Sequence, residues 1–186
     1  YTFENRELIP ENVPIIFVAN HQSLLDTAGI IWYLKKFKVS FVTKKELGKG
    51  IPAISYNLRH NNYVLIDRSN PKQAIPKIKS LAEYIEKENR SAVIFPEGTR
   101  SKTGEVQSFK RGAFYLAAHS GYPIVPITIN GTKKIMPKGT FRLKSGTVYL
   151  HFDKPIPTDN IKSKQDELAL MEKVREIIIS NQKEYN

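Results

Sequence analysis

Residues 15–26 read Ile-Ile-Phe-Val-Ala-Asn-His-Gln-Ser-Leu-Leu-Asp. The first five are apolar, β-branched or aromatic and do not alternate with polar residues, the texture of a strand covered on both faces. From Leu24 onward, apolar residues recur at helical spacing as far as Phe37. A buried strand that runs straight into a helix is half of a βαβ unit, and the same texture returns along the chain. Strands are expected at 15–18, 39–42, 63–66, 92–95, 124–129 and 147–152, and helices at 24–37, 45–57, 72–88, 109–120 and 167–180. In the last helix Leu168, Met171, Val174, Ile177 and Ile178 form one apolar stripe, with Lys173 and Glu176 turned away. The pattern predicts an α/β fold in which a mostly parallel or mixed central sheet is flanked by helices and ligands sit at the strands' carboxyl ends.

Composition agrees with one domain over residues 1–186, because 40% hydrophobic residues in a chain this long fill a single core. Lys and Arg number 29 against 18 Asp and Glu, a net charge of +11, so an anionic partner is expected: nucleic acid, acidic lipid or a phosphorylated small substrate. With no cysteine there is no disulfide framework, thiolate metal site or cysteine nucleophile. The longest apolar run, at 13–19, is far shorter than the roughly 20 residues of a membrane-spanning helix. The chain opens on Tyr1, with no charged and apolar leader before the first strand pattern.

Three strand ends carry chemistry. His21 and Asp26 stand five positions apart where the first strand becomes a helix. An imidazole ionises near neutrality, and a carboxylate on one ring nitrogen leaves the other free to take a proton. Ser23-x-x-Asp26 equally fits a helix capping box, in which Asp26 only satisfies a backbone N–H. Phe95-Pro96-Glu97-Gly98-Thr99-Arg100-Ser101 ends another apolar strand; Gly98 allows close backbone approach, and Thr99 and Arg100 offer a hydroxyl and a forked donor suited to phosphate. A solvated turn is the alternative. Asp67-Arg68 follows a third strand, where an ordinary surface ion pair is the simpler reading, and Lys44 taken alone reads as a solvated charge.

Together these features resemble the lysophosphatidic acid acyltransferase family of bacterial type, over most of the chain. The resemblance rests on the H-x-x-x-x-D motif at 20–26, Lys44-Lys45-Glu46-Leu47, Leu65-Ile66-Asp67-Arg68, the Phe95–Ser101 motif, Phe109-Lys110-Arg111-Gly112 and Val125-Pro126-Ile127. H-x-x-x-x-D alone is weak, but followed at this distance by F-P-E-G-T-R it is highly specific. The second motif departs from the family pattern, with Asn62 where Gly is usual and Leu65 where Phe is frequent. The resemblance implies a glycerolipid acyltransferase-like fold, His21 as base and Asp26 as its orienting partner. It implies that Glu97, Gly98, Thr99, Arg100 and Arg68, joined by Lys44, line the pocket for the acceptor's glycerol phosphate. It associates the Pro126 element with the acyl-donor side.

The expected reaction is transfer of a fatty acyl group from a thioester, acyl-CoA or acyl carrier protein, to the free hydroxyl of 1-acylglycerol 3-phosphate. No metal or other cofactor is expected. Thiols leave readily, so the step that needs help is deprotonation of the alcohol. Backbone amides near the helix start are the expected donors to the tetrahedral oxyanion. Acylation of glycerol 3-phosphate or another lysophospholipid uses the same motifs. A basic nucleic-acid-binding module is the rival from another class, but Lys and Arg are dispersed and no recognition motif is present. Anionic lipid is the better use of the charge, which predicts a site on the cytoplasmic face of a membrane, held peripherally or anchored through a segment ahead of Tyr1. Glu105 stands where a phosphate-binding loop needs Lys, no serine lies in a G-x-S-x-G elbow, and His60, His119 and His151 lack metal-ligand spacing.

Overall fold

The computed structural model describes residues 1–44, 64–66, 71–140 and 142–182. Seven strands form one sheet: β1 (Thr2–Glu4), β2 (Ile16–Ala19), β3 (Ser40–Lys44), β4 (Val64–Ile66), β5 (Ala92–Ile94), β6 (Ile124–Asn130) and β7 (Tyr149–Phe152). Their order across the sheet is β1-β7-β6-β2-β5-β3-β4. Five neighbouring strands, β6 to β4, run parallel, and β7 joins β6 antiparallel with β1 parallel to β7. The helices are α1 (Leu25–Tyr33), α2 (Pro71–Lys87), α3 (Gly112–Ser120), α4 (Thr132–Ile135) and α5 (Lys164–Ser180).

Alternation of side chains along the strands divides the core into two layers. Ile16 and Val18 of β2 face α2, α3 and α5 with Leu81, Ile85, Phe114, Leu116, Val174 and Ile178. Ile15, Phe17 and Ala19 face the other way, with Ile30 of α1 and with Leu34, Ile127, Ile135, Leu150 and Phe152. Parallel strands covered on both faces need apolar residues at every position, which is why 15–19 shows no alternation. All seven residues of β6 are buried, including Pro126, which therefore lies inside the sheet opposite Val18.

The mixed α/β sheet flanked by helices is as expected, with differences of detail. β1 is too short and too polar for its sequence to mark it; it is held by pairing to β7 and by Phe3, whose ring stacks on Tyr33 at 4.1 Å. The helix expected at 24–37 ends at Tyr33 and closes with a 3-10 turn at Leu34–Phe37, where Lys38 takes the left-handed conformation. The helix expected from 109 starts at Gly112: the Arg111 carbonyl accepts from Phe114 and Tyr115 N–H, while Lys110 N–H still bonds the Pro96 carbonyl, 2.9 Å away. In α5 the buried face is Glu167, Leu170, Val174 and Ile178, so Leu170 packs inward and Leu168, 41% exposed, leaves the stripe assigned to it. The helix expected at 45–57 lies outside the described residues.

Candidate active site

The carboxyl end of β2 lies between β5 and β6, and the chain stops being strand there because of Asn20. Its side-chain amide donates to the Ile129 carbonyl (2.9 Å) and accepts from Ile129 N–H (2.7 Å), replacing the backbone ladder with one residue's side chain. His21 leaves this anchored point and is held on both sides by the segment after β5. Its N–H donates to Glu97 Oε1 at 2.7 Å, and its carbonyl accepts from Ser101 N–H at 2.7 Å. The imidazole stacks on Phe95, centroids 4.1 Å apart, and keeps 17% of its side-chain surface exposed.

His21 Nδ1 lies 2.8 Å from Asp26 Oδ2. Asp26 is fully buried, and the same Oδ2 accepts from the N–H groups of Gln22 (2.7 Å) and Ser23 (2.8 Å). Ser23 Oγ in turn accepts from Leu25 N–H and donates to the Met136 carbonyl. One oxygen therefore does two things: Asp26 Oδ2 ties down the turn at Gln22 and Ser23 that leads into α1, and it fixes the ring; the N-cap of α1 itself, Leu24, has no side-chain cap. A ring whose Nδ1–H donates to a carboxylate presents Nε2 with a lone pair, the form a general base requires. Asp26 Oδ1 is also buried, without a partner among the described residues.

Glu97 is 5% exposed, and both its oxygens face inward. Oε2 accepts from Gln107 N–H (3.2 Å) and Gln107 Nε2 (3.0 Å), so with His21 N–H the carboxylate takes three donors. Burial pushes its carboxyl above the usual glutamate range, and the bonds from His21 and Gln107 oppose that shift. The expectation that Glu97 lines a substrate pocket meets a different geometry: its carboxylate holds the backbone of the histidine. Of the amides near the helix start, those of Gln22 and Ser23 are taken by Asp26, that of His21 by Glu97 and that of Leu25 by Ser23 Oγ.

Gly98 turns the chain with φ +74°, where a side chain would meet Lys110 Nζ at 3.1 Å. Thr99 beyond it is exposed, and Arg100 is half-buried with no side-chain partner among the described residues. Lys138, from the segment after α4, donates to Thr99 Oγ1 (3.2 Å) and the Arg100 carbonyl (2.8 Å), adding a cation that no local pattern marks. Gln107 and Gln22, which donates to the Gly104 carbonyl at 2.8 Å, also escape a reading by motif. Lys44 ends β3 at the same carboxyl edge of the sheet. Arg68 lies outside the described residues.

Glu97→Gln is expected to lower thermal stability and turnover together, with the acceptor's KM nearly unchanged. An amide has one accepting atom where three N–H donors converge from two sides, so at least one buried donor loses its partner, at about 1–3 kcal/mol. Steady-state kinetics beside thermal melts check this, and a rise confined to the acceptor's KM would return Glu97 to the pocket.

The chain is similar to known proteins. The acyltransferase family model matches residues 1–130. A 1-acyl-sn-glycerol-3-phosphate acyltransferase of Cocos nucifera is 39% identical over 164 residues, covering 86% of this chain and 50% of the relative. One from Saccharomyces cerevisiae is 35% identical over 176 residues, covering 92% and 56%. The crystal structure of the 1-acyl-sn-glycerophosphate acyltransferase of Thermotoga maritima superposes with a TM-score of 0.79 at 32% identity, covering 96% of this chain and 69% of that one. The chain thus spans about half the length of the curated relatives it matches. With the family model matched through β6 and a shared fold at this level of identity, the chain belongs to the acyltransferase family.

Proposed function

We propose that this chain carries the catalytic machinery for moving a fatty acyl group from a thioester, acyl-CoA or acyl carrier protein, to the free hydroxyl of 1-acylglycerol 3-phosphate, giving phosphatidic acid. The observation that carries the reading is the 2.8 Å contact of His21 Nδ1 with buried Asp26, beside a cationic turn at a sheet's carboxyl edge. His21 Nε2 takes the proton of the acceptor hydroxyl as its oxygen attacks the thioester carbonyl. The tetrahedral intermediate collapses, the C–S bond breaks, and the departing thiolate takes the proton back from the imidazolium. Asp26 stabilises the imidazolium between these steps. Acceptor phosphate is gripped by Arg100 with the Thr99 hydroxyl, and Lys44 and Arg68 are assigned to the same anion site. Glu97 acts as a positioning residue for His21. The relatives named for this reaction support the choice of acceptor. The surplus of 29 basic over 18 acidic residues supports work at an anionic membrane surface, on its cytoplasmic face. Among the described residues no helix is long and apolar enough to cross a membrane.

Arg100 separates the possible uses of the turn. Arg100→Ala should raise the acceptor's KM about ten-fold or more and leave the donor's nearly unchanged, the loss of a charge-assisted bond of about 1.5–3 kcal/mol. Arg100→Lys should recover only part, because one ammonium cannot reproduce a bidentate fork. Kinetics with each substrate varied in turn decide it: loss of donor affinity alone assigns Arg100 to the donor's phosphates, and unchanged constants make it a decorative turn residue. A panel of glycerol 3-phosphate, 1-acylglycerol 3-phosphate and other lysophospholipids against both donors tests the substrate assignment itself.

A further inference from the structure

Helix α1 is apolar on two opposite sides. Ile30 and, just past its end, Leu34 are buried against the sheet, and Gly29 is buried under the Tyr1 ring. On the far side Leu24, Ala28, Ile31 and Trp32 follow at i, i+4, i+7 and i+8, and Leu24, Ile31 and Trp32 are 47%, 43% and 67% exposed. Phe3 stacks against Trp32 at 5.8 Å, and Tyr1, half exposed, continues the aromatic surface from Phe3. A helix that is apolar all round is ordinarily covered all round, and an open aromatic and aliphatic stripe of this kind marks an interaction surface.

Charge says what covers it. Lys35, Lys36 and Lys38 follow the stripe directly, all exposed. Lys36 is paired with Glu11 at 2.6 Å and lies over the Phe37 ring, whereas Lys35 and Lys38 have no acidic partner among the described residues. The one acid of α1, Asp26, is buried on the opposite side. A Trp-centred apolar stripe with cations at one end and no exposed anion on the helix matches the boundary between acyl chains and anionic headgroups.

We propose that this face of α1, centred on Trp32, seats the domain on an anionic lipid bilayer. The proposal rests on the acyltransferase reading above and names the surface on which that site works. Asp26 lies in the first turn of the docked helix and His21 three residues before Leu24, so docking holds the catalytic pair at headgroup depth. An acceptor held in the bilayer by its acyl chain presents its glycerol hydroxyl and phosphate at that depth. The area of contact is the stripe itself, with Lys35 and Lys38 reaching lipid phosphates beyond its end.

Trp32 is the only tryptophan in the chain, so its emission reports this face alone. The 186-residue chain is titrated with vesicles of phosphatidylcholine, with and without phosphatidylglycerol and with bromine on the acyl chains. The expected result is a blue shift and bromine quenching on the mixed vesicles, little of either on phosphatidylcholine alone, and reversal as salt rises. Ile31→Glu should lower vesicle partition at least ten-fold, and the pair Lys35→Glu with Lys38→Glu about thirty-fold. These variants should keep transfer to a water-soluble short-chain acceptor while losing transfer to one held in vesicles. Absence of shift and quenching on mixed vesicles overturns the proposal, as does wild-type partition by Ile31→Glu. So does emission already blue-shifted without lipid in a dimer that Ile31→Glu dissociates, since a second copy then covers the face. A wild-type chain that binds mixed vesicles through Trp32 but transfers to neither acceptor counts against the acyltransferase reading and leaves the docking face standing.

Discussion

Replacing His21 with alanine should lower turnover by about 10²–10⁴, the usual worth of a positioned general base, in a protein that still folds. Folding survives because the change does not orphan Asp26, whose Oδ2 keeps the N–H groups of Gln22 and Ser23. The Glu97 carboxylate also keeps its donors, since the bond from residue 21 comes from the backbone. What is lost is the ring stacked on Phe95, already partly exposed, so the stability change should be modest. The measurement is single-turnover transfer beside a thermal melt. A folded variant that keeps most of its rate would remove His21 from the reaction.

Asp26→Asn should be nearly as severe for turnover and worse for stability. The asparagine carbonyl can occupy the Oδ2 position and accept the same three N–H groups, yet it carries no charge to stabilise an imidazolium. A fall in kcat of about 10²–10⁴ is expected, with a smaller change in the acceptor's KM, because Asp26 is buried and touches no substrate. Hydrogen bonds to a charged acceptor contribute about 1.5–3 kcal/mol, so a lower melting temperature should accompany the kinetic loss. Stability loss with normal turnover would reduce Asp26 to a brace for the turn at Gln22 and Ser23.

The parts legible in the sequence are those in which one physical demand dominates. Strands buried on both faces are mostly apolar, so those expected at 15–18 and 124–129 announce themselves, and the His21 and Asp26 spacing marks a turn from strand to helix. β1 is silent because three residues reading Thr-Phe-Glu acquire their structure only by pairing to β7. The stripe of α5 was open to a phase choice between Leu168 and Leu170, which packing against α3 and β6 decides. Glu97 is legible as a feature but not in its direction, because a carboxylate at a strand end reads the same whether it faces water or a backbone amide. Gln107 and Lys138 lie in loops, where no periodicity separates a partner of the site from a solvated side chain. α1 hides its second apolar face for a related reason: between Leu24 and Leu34 the apolar residues are dense enough to serve both the core and an outer surface, so no single stripe stands out.

The chemistry at stake is transfer of an acyl group to an alcohol by the His21 and Asp26 pair. It is tested most directly by mixing the chain with a labelled acyl thioester and 1-acylglycerol 3-phosphate in vesicles and following the label. Label should appear in phosphatidic acid as free thiol is released in equal amount, and both should stop in His21→Ala. Release of thiol with the label recovered as free fatty acid, or formation of phosphatidic acid at an unchanged rate in His21→Ala, would contradict it.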